Sequence, residues 1–454
     1  MKVLKFGGTS VGSAANLAKV RDLVRAVGEP RPIVVVSAHS GVTDELLAQA
    51  RSAPGGSYSL RKLRLRHTRL LKEIGVDPTL LAPCFDELGD LLRGLALVGE
   101  LTPRSLDLVA SFGERLSVRG IAAYLSNEGI PARPVDAFDV GLRTDSRFTA
   151  ATPDTECFPE VRRSLEGIRD AVPVVTGFIA KDRAGNVTTL GRSGSDLTAT
   201  LLGAALRAEE VQIWTDVDGV MSADPRLVRK AQAIPVLSIA EASELAYYGA
   251  KVIHPATMLP AVENRIPVVV KNTSRPDYAG TRILAEAPPG ENPVKSIAHK
   301  RGIILITVAS TRMLLQSGFM AKIFEVFARY DLSVDLVATS EVTVSVTVDT
   351  DRNLEAVVSD LAEFSDVTVE PGMAQVCVVG EGIRDRVGVA AEVFGTLKKA
   401  RLPVRLISHG GTKINISFLV EDEAVTRTIR ALHKTFFGNS PPSGAAVTPR
   451  AKRA

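Results

Sequence analysis

The eight residues Lys5-Phe6-Gly7-Gly8-Thr9-Ser10-Val11-Gly12 constrain this chain more than any other stretch, because they join an apolar strand to a helix through a glycine-rich corner. The periodicity predicts a strand over Val3–Lys5 and an amphipathic helix over Asn16–Val27, with Leu17, Val20, Leu23, Val24 and Val27 on one face. Glycine lets a bulky anion approach the backbone, and the unpaired amides of a turn or helix start point at its oxygens. Lys5 adds a positive charge at the strand end. Taken alone, the same letters also describe a tight turn beside a solvated lysine. There is no P-loop Gly-Lys-Ser/Thr and no His-Arg-Asp catalytic loop, so a phosphate site here belongs to another class.

From this corner to about Lys271, the strand candidates Ile33–Ser37, Val174–Phe178, Val211–Thr215 and Val268–Lys271 alternate with helical stretches. That rhythm predicts an α/β unit on a mainly parallel sheet. Residues 57–101 read as a strand-free helical insertion, and the basic run Arg61-Lys62-Leu63-Arg64-Leu65-Arg66 that opens it reads as a solvated face. Pro276, Pro288, Pro289 and Pro293 break the periodicity between Arg275 and Pro293, which marks the expected domain boundary. Beyond it, Gly318–Val348 recurs as Gly388–Phe418 at an offset of seventy residues, with Ala321, Phe324, Leu332, Val334 and Leu336 matching Ala391, Phe394, Leu402, Val404 and Leu406. Each copy reads as a helix followed by a strand hairpin, and two such units would pair their sheets. Residues 438–454, rich in Pro, Gly, Ser and Ala, are expected to be disordered.

The 454 residues, 45% of them hydrophobic, can fill the cores of roughly two to four domains. The formal charge of +4 falls to +1 without Arg450, Lys452 and Arg453 of the tail, so nucleic acid is not an expected partner. Cys84, Cys157 and Cys377 are odd in number and far apart, which predicts neither a disulfide framework nor a zinc site and suits a reducing, cytoplasmic compartment. No apolar run approaches the roughly 18 residues that span a bilayer, and no leader is read at the start, so membrane insertion is not expected.

Ser37-Ala38-His39-Ser40-Gly41-Val42-Thr43 follows the second strand, where ligands collect at the carboxyl ends of parallel strands, although a helix cap would use the same residues. Ser111-Phe112-Gly113-Glu114-Arg115 is read as opening a helix that ends near Gly129, and Gly191-Arg192-Ser193-Gly194-Ser195-Asp196 as opening one that runs to Leu206. A carboxylate at a helix start often only complements the dipole. The Arg192 guanidinium, however, matches a carboxylate as a two-pronged donor, and Glu114 could hold an ammonium, so together they would grip an amino acid at both backbone groups. Thr215-Asp216-Val217-Asp218-Gly219-Val220 ends the strand that carries Trp214, and Gly249-Ala250-Lys251-Val252-Ile253-His254-Pro255 brings a second lysine before a helix. Two aspartates in a turn are more often Asx-turn residues than metal ligands, and no protein side chain is expected to hold a metal.

Standing in this order, KFGGTSVG, the Ser37–Thr43 loop, SFGER, GRSGSD, TDVDG and GAKVIHPAT resemble the aspartokinases of the amino acid kinase family. Over residues 1–437 the likeness is to the lysine-sensitive, single-function type with two ACT domains. The resemblance implies an α/β fold, with a mainly parallel sheet sandwiched by helices over residues 1–285. It further implies a linker at 286–294 and two α+β, ferredoxin-like ACT domains at 295–375 and 376–437, with insertion of the first into the second left open. The implied reaction is phosphoryl transfer from ATP to the 4-carboxylate of L-aspartate, the first step toward lysine, threonine, methionine and diaminopimelate. ATP would meet Lys5, Gly7, Gly8, Ser37, Thr215, Asp216, Met221, Arg226, Lys251 and Val252. Aspartate would meet Ser37, Thr43, Glu114, Phe178, Arg192 and Ser195. Catalysis would fall to Lys5, Asp196 and Lys251, with Asp196 orienting the lysines and Mg²⁺ arriving with the ATP. Three positions depart from the family pattern: Ser193 stands where glycine is common, Asp218 where proline is frequent, and Met221 where some relatives have tyrosine.

The chemistry suits these residues, because a carboxylate is already ionised at neutral pH and needs no general base, leaving positioning and charge neutralisation as the task. Two rivals remain. A relative acting on glutamate, acetylglutamate, carbamate or UMP is disfavoured by SFGER and the paired repeats. An ACT-domain sensor with a dead kinase half is disfavoured by Lys5, Arg192, Asp196 and Lys251. No fused homoserine dehydrogenase is expected. In the first repeat, Asp335, Thr339, Ser340 and Glu341 offer acids where the second has Arg405 and His409, so the doubly cationic L-lysine is the expected inhibitor, with threonine left open. Amides near Gly318, Phe319 and Met320 would take its carboxylate. By resemblance Met313, Ser333 and Val334 join this effector site, while Gln316 departs from a serine seen in such relatives. Exposed pairing edges predict a homodimer through the ACT repeats, with larger assemblies open.

Overall fold

The computed structural model describes residues 1–248, 254–288, 292–315, 317–409 and 414–438, so Lys251, Val252, Gln316 and the tail beyond Gly438 lie outside the described residues. The chain forms two units. The first takes in Met1–Val220, Pro235–Ile239 and residues 254–286; the second takes in Met221–Ile234, residues 240–248 and the described residues from 287 onward.

Through the first unit the chain runs β1 (Lys2–Phe6), α1 (Ala14–Val27), β2 (Ile33–Val36), α2 (Val42–Ser52), α3 (Arg61–Glu73), α4 (Ala82–Val98), α5 (Pro103–Asn127), β3 (Ala132–Val135) and β4 (Arg143–Thr144). It continues as α6 (Phe158–Glu166), β5 (Val172–Thr176), β6 (Ile179–Asp182), β7 (Val187–Thr189), α7 (Gly194–Leu206), β8 (Glu210–Thr215), β9 (Val236–Ser238), α8 (Ile239–Tyr247), α9 (Leu259–Glu263), β10 (Val268–Asn272) and β11 (Thr281–Leu284). All of α8 but its first residue belongs to the second unit.

Eight strands form one sheet in the order β3-β5-β2-β1-β8-β10-β11-β9, in which only β10 and β11 pair antiparallel. The β-branched run Ile33-Val34-Val35-Val36 is buried on both faces, as a central parallel strand must be. One face of the sheet, through Leu4, Phe6, Val34 and Val36, shares a core with Leu17, Val42, Leu63, Leu88 and Phe112 of α1–α5. α7, apolar nearly all round, packs on β1 and β8. Its Gly203 permits the approach, since a Cβ there would stand 2.5 Å from Val211 Cγ2. The fully buried Phe6 and Phe112 anchor this core, and truncating either to alanine costs about 3–5 kcal/mol.

One reading of the sequence is corrected. The helix that carries SFGER begins at Pro103, capped by the Thr102 hydroxyl on the Ser105 amide, so Glu114 sits in mid-helix and does not complement a dipole. The proline-rich stretch from Arg275 to Pro293 holds the four-residue β11, which pairs with β10 and β9, and the first unit ends within it at Glu286.

The second unit continues with β12 (Ser296–Ala309), α10 (Phe319–Arg329), β13 (Val337–Thr339), β14 (Thr343–Val348), α11 (Leu354–Ala362), β15 (Asp366–Val379), α12 (Val389–Lys399), β16 (Leu406–Ser408), β17 (Asn415–Glu421) and α13 (Val425–Phe437). Its sheet runs β13-β14-β12-β15-β17-β16. The seventy-residue offset holds for the 14-residue β12 and β15 as well as for α10 and α12. β12 and β15 pair antiparallel along their length, Ser296 opposite Val379 and Ala309 opposite Asp366, with a register shift at Gly302. Gly302 and its repeat mate Gly372 both take left-handed φ, 72° and 75°, so each long strand is kinked where it passes from one repeat to the other. Residues 304–309 thus pair with β14 of the first repeat, while the 373–379 end of β15 pairs with β17 of the second. The outer strands β13 and β16 leave Val337 and Ile407 exposed.

Candidate active site

At the carboxyl ends of β1, β2 and β5, a cleft of about 260 Å³ is lined by Lys5, Ser37, Thr43, Glu114, Phe178, Gly191, Ser193, Gly194, Ser195 and Asp196. Seven of these are predicted site residues. Glycines set the closeness of the walls. A Cβ on Gly8 would lie 2.5 Å from the Ala38 carbonyl oxygen, so only glycine lets the Lys5–Gly12 turn lie against the Ser37–Thr43 loop. There the Ser40 amide donates to the Gly8 carbonyl at 3.2 Å. Likewise Gly113 brings α5 onto the same loop, where a Cβ would meet that of Ala38 at 2.8 Å.

This approach delivers Glu114. Its side chain is 3% exposed, Oε1 accepts the Ala38 amide at 3.0 Å, and Oε2 has no partner. Desolvation, only partly offset by the Ala38 N–H, pushes its carboxyl up to about 8. Lys5 Nζ lies 2.6 Å from Asp196 Oδ1, both side chains nearly buried. Arg115, the last residue of SFGER, turns elsewhere, to Glu87 at 2.7 Å and over the Phe112 ring.

The cleft floor turns on unusual backbone. Phe178 has φ 66°, its amide donating to Thr198 Oγ1 at 2.9 Å, and Ser193, the residue before α7, has φ 55° and ψ 25°. Left-handed geometry favours glycine, so serine at 193 carries strain of about 1 kcal/mol. Gly191, Ser193 and Gly194 were not singled out from sequence as lining residues, though the glycines of GRSGSD were the available signal. Arg192 lies between lining residues with its side chain exposed, and among the described residues it has no ion pair or side-chain hydrogen bond.

The structure does not bring every predicted nucleotide residue to this cleft. Thr215 ends β8, next to β1, and Asp216 follows it, with the Thr215 hydroxyl 3.2 Å from Asp216 Oδ1. Gly7 stands beside Lys5, its nearest neighbour being Lys5 Nζ at 3.6 Å from the Cβ position. Asp218 is anchored by Asn272 Nδ2 at 2.7 Å and by an ion pair with Arg275, so its carboxylate is spent on the turn. Met221 and Arg226 belong to the second unit, where Arg226 forks onto Asp224 at 2.7 and 3.0 Å. Lys251 and Val252 lie outside the described residues.

Of the predicted effector residues, Met313, Met320 and Val334 pack against the core of the first repeat, and Phe319 is buried edge-on to Phe364 at 5.7 Å. Gly318, φ 85°, precedes α10. Asp335 is already paired: Lys300 Nζ lies 3.4 Å from its Oδ2, 2.8 Å from Asp349 and 3.2 Å from the Tyr247 hydroxyl. Burial works against the Lys300 charge, but these partners hold its ammonium above the ordinary lysine range. Ser333, Thr339, Ser340 and Glu341 are exposed, and Ser340 Oγ bonds the Thr343 hydroxyl at 2.6 Å. A cleft of about 400 Å³ in the same repeat is lined by Ser310, Thr311, Arg312, Val342, Phe364 and neighbours and by none of the predicted effector residues.

Among the described residues no three or more His, Cys, Asp or Glu side chains are grouped to hold a metal ion, and no helix is long and apolar enough to cross a membrane. Comparison with known proteins finds the amino acid kinase family over residues 1–272 and the ACT domain over 306–362 and 376–436. Aspartokinase 1, chloroplastic, of Arabidopsis thaliana is 40% identical, covering 99% of this chain and 82% of its own length. Lysine-sensitive aspartokinase 3 of Escherichia coli is 35% identical, covering 96% and 99%. The solved structure of E. coli aspartokinase III in complex with lysine and aspartate, its T-state, superposes with a TM-score of 0.79 at 33% identity, covering 96% of this chain and 99% of that one.

Proposed function

The chain belongs to the aspartokinases of the amino acid kinase family, and on that premise we propose that it transfers the γ-phosphoryl group of ATP to the side-chain carboxylate of L-aspartate at the cleft built by Lys5, Glu114 and Asp196. The observation that carries this reading is the buried Glu114 with an unpartnered oxygen in the same 260 Å³ space as the Lys5–Asp196 pair. A buried carboxylate oxygen without a donor calls for a cation, and the α-ammonium of an amino acid supplies one. Arg192, unpaired at the cleft loop, takes the α-carboxylate, while Ser37, Thr43, Phe178 and Ser195 enclose the side chain.

In the reaction an aspartate carboxylate oxygen forms a bond to the γ-phosphorus as the bond to the β,γ-bridging oxygen breaks, giving 4-phospho-L-aspartate and ADP. No proton moves, so no histidine is required. Lys5, oriented by Asp196, neutralises charge on the transferring group, with the amides at Gly7 and Gly8 beside it. We assign Lys251 the opposite flank, and Thr215, Asp216, Met221, Arg226 and Val252 the nucleotide side. When bound with the ATP, Mg²⁺ would offset phosphate charge, and no protein side chain is assigned to hold it.

We assign residues 1–285 to catalysis and the repeats at 295–375 and 376–437 to regulation, with L-lysine as the inhibitor at Met313, Gly318–Met320, Ser333–Asp335 and Thr339–Glu341 of the first repeat. The outer strand β13 and its exposed Val337 support pairing between two copies. The buried free thiols of Cys84, Cys157 and Cys377 suit a reducing, cytoplasmic setting. ATP-dependent aspartyl hydroxamate formation, with lysine and threonine added separately and together, tests the reading. Turnover with aspartate and inhibition by lysine are expected. No turnover would leave the chain a sensor, and inhibition by threonine alone would reassign the effector.

A further inference from the structure

We infer that Arg66, in the basic run of the helical insertion, is a positioning residue for aspartate, holding from outside the loop that presents Ser37 and Thr43 to the cleft. Arg66 Nη2 donates to the Ser40 carbonyl at 2.6 Å, and a Cβ on Gly41 would lie 3.8 Å from Nη1, so the guanidinium lies along the Ser40–Gly41 backbone. The next residue, His67, is 2% exposed; its Nδ1 meets the Leu63 carbonyl at 2.9 Å, and its ring lies 5.3 Å from that of the buried His39 in the same loop. Successive residues of α3 therefore engage successive residues of the loop in reverse order.

Ser40 is thereby held from two sides, its amide on the Gly8 carbonyl of the phosphate turn and its carbonyl on Arg66. The rest of the run behaves differently. Arg64 pairs with Asp86 and lies over the Phe85 ring, and Arg61 and Lys62 are exposed. Arg66 makes no ion pair among the described residues, so its charge is not spent on an acid. A charged donor on a carbonyl makes one of the stronger single contacts available to a loop, and loops need such contacts because their backbone groups lack a ladder. Within the solvated face of residues 61–66, Arg66 is the half-buried member, and its exposed bond to Ser40 sets it apart.

The inference rests on the reading that Ser37 and Thr43 face aspartate, and the test separates the two. In the full-length enzyme, Arg66→Gln is expected to raise the aspartate KM roughly tenfold while kcat and the ATP KM stay within about twofold. Arg66→Lys, which keeps a cationic donor, should restore the aspartate KM to within about threefold of wild type. Hydrogen exchange of the 38–43 amides should speed up in Arg66→Gln and not in α4. An unchanged aspartate KM in Arg66→Gln, alongside a raised one in Thr43→Val, would overturn the role of Arg66 and leave the substrate reading standing. Unchanged values in both would overturn both. Equal losses in kcat, both KM values and Tm for the Gln and Lys variants would show that α3 merely packs, and that too overturns it.

Discussion

The cleft of the first unit and the Asp335 region of the second treat charge in opposite ways. In the cleft, Glu114 Oε2 is buried without a donor and the exposed Arg192 has no acid partner among the described residues. In the second unit, Asp335 already has Lys300, which also holds Asp349 and the Tyr247 hydroxyl. A buried carboxyl without a partner stays protonated in the empty protein and, once ionised, rewards the ligand that brings it a cation. A charge already answered from within rewards a ligand only by the difference between it and the internal group. The first arrangement suits a substrate site, the second a regulator that must let go.

The largest test of this contrast is Lys5→Ala. It should lower kcat by roughly two to three orders of magnitude with the aspartate KM nearly kept, because the lysine acts on charge that develops during transfer. Near-normal turnover would remove Lys5 from the mechanism. Arg192→Ala comes next: the aspartate KM should rise roughly tenfold or more, with ATP binding little changed. An unchanged aspartate KM sinks the assignment of that arginine.

In the second unit the two partners should act with opposite sign. Asp335→Ala should raise the lysine concentration for half-inhibition at least about tenfold, while kcat stays within about twofold. Lys300→Met should lower that concentration about threefold, since it frees Asp335 and leaves Asp349 uncompensated. If Lys300→Met instead weakens inhibition, the lysine holds the acid in place and does not compete for it.

The orphaned carboxylate of Glu114 predicts a pH dependence. Its folded pKa, about 8, lies above the ordinary carboxylate value, so the protonated form prevails in the empty cleft at neutral pH. The stabilisation it gives the free enzyme is complete below the ordinary value and is lost as pH rises through about 8. Binding an ammonium needs the ionised form. The aspartate KM should therefore fall as pH is raised from about 6.5 to 8, by up to tenfold per unit, and Glu114→Gln should flatten the profile. A wild-type KM that rises over this range would contradict the pairing. The smallest effect is Ser193→Gly, which removes left-handed strain at φ 55° and should raise stability by up to about 1 kcal/mol, read as a higher Tm with kcat preserved.

The sequence carried the strand-turn-helix corner at Lys5, the parallel rhythm, the GRSGSD helix start and the seventy-residue repeat, because periodicity and glycine placement are local properties of the chain. It misplaced the start of α5, since a polar motif beside a glycine imitates a helix start, while the Thr102–Pro103 signal lay eight residues earlier. It also passed over a four-residue strand between prolines, because β11 draws its support from β10 and β9 and not from its own pattern.

What the sequence alone determined, then, is which residue types stand at which turns and how the repeats align. Tertiary structure decided which polar groups are left unanswered. Glu114 and Arg115 are neighbours with the same helical prospects, yet Gly113 presses one against Ala38 with a spare oxygen while the other is consumed by Glu87. Arg64 and Arg66 likewise read alike, and only the distance to Ser40 separates a surface charge from a contact on the Ser37–Thr43 loop. Desolvation and hydrogen-bond satisfaction depend on atoms brought from far along the chain, and so do the pKa of Glu114 and the pairing of Asp335 with Lys300.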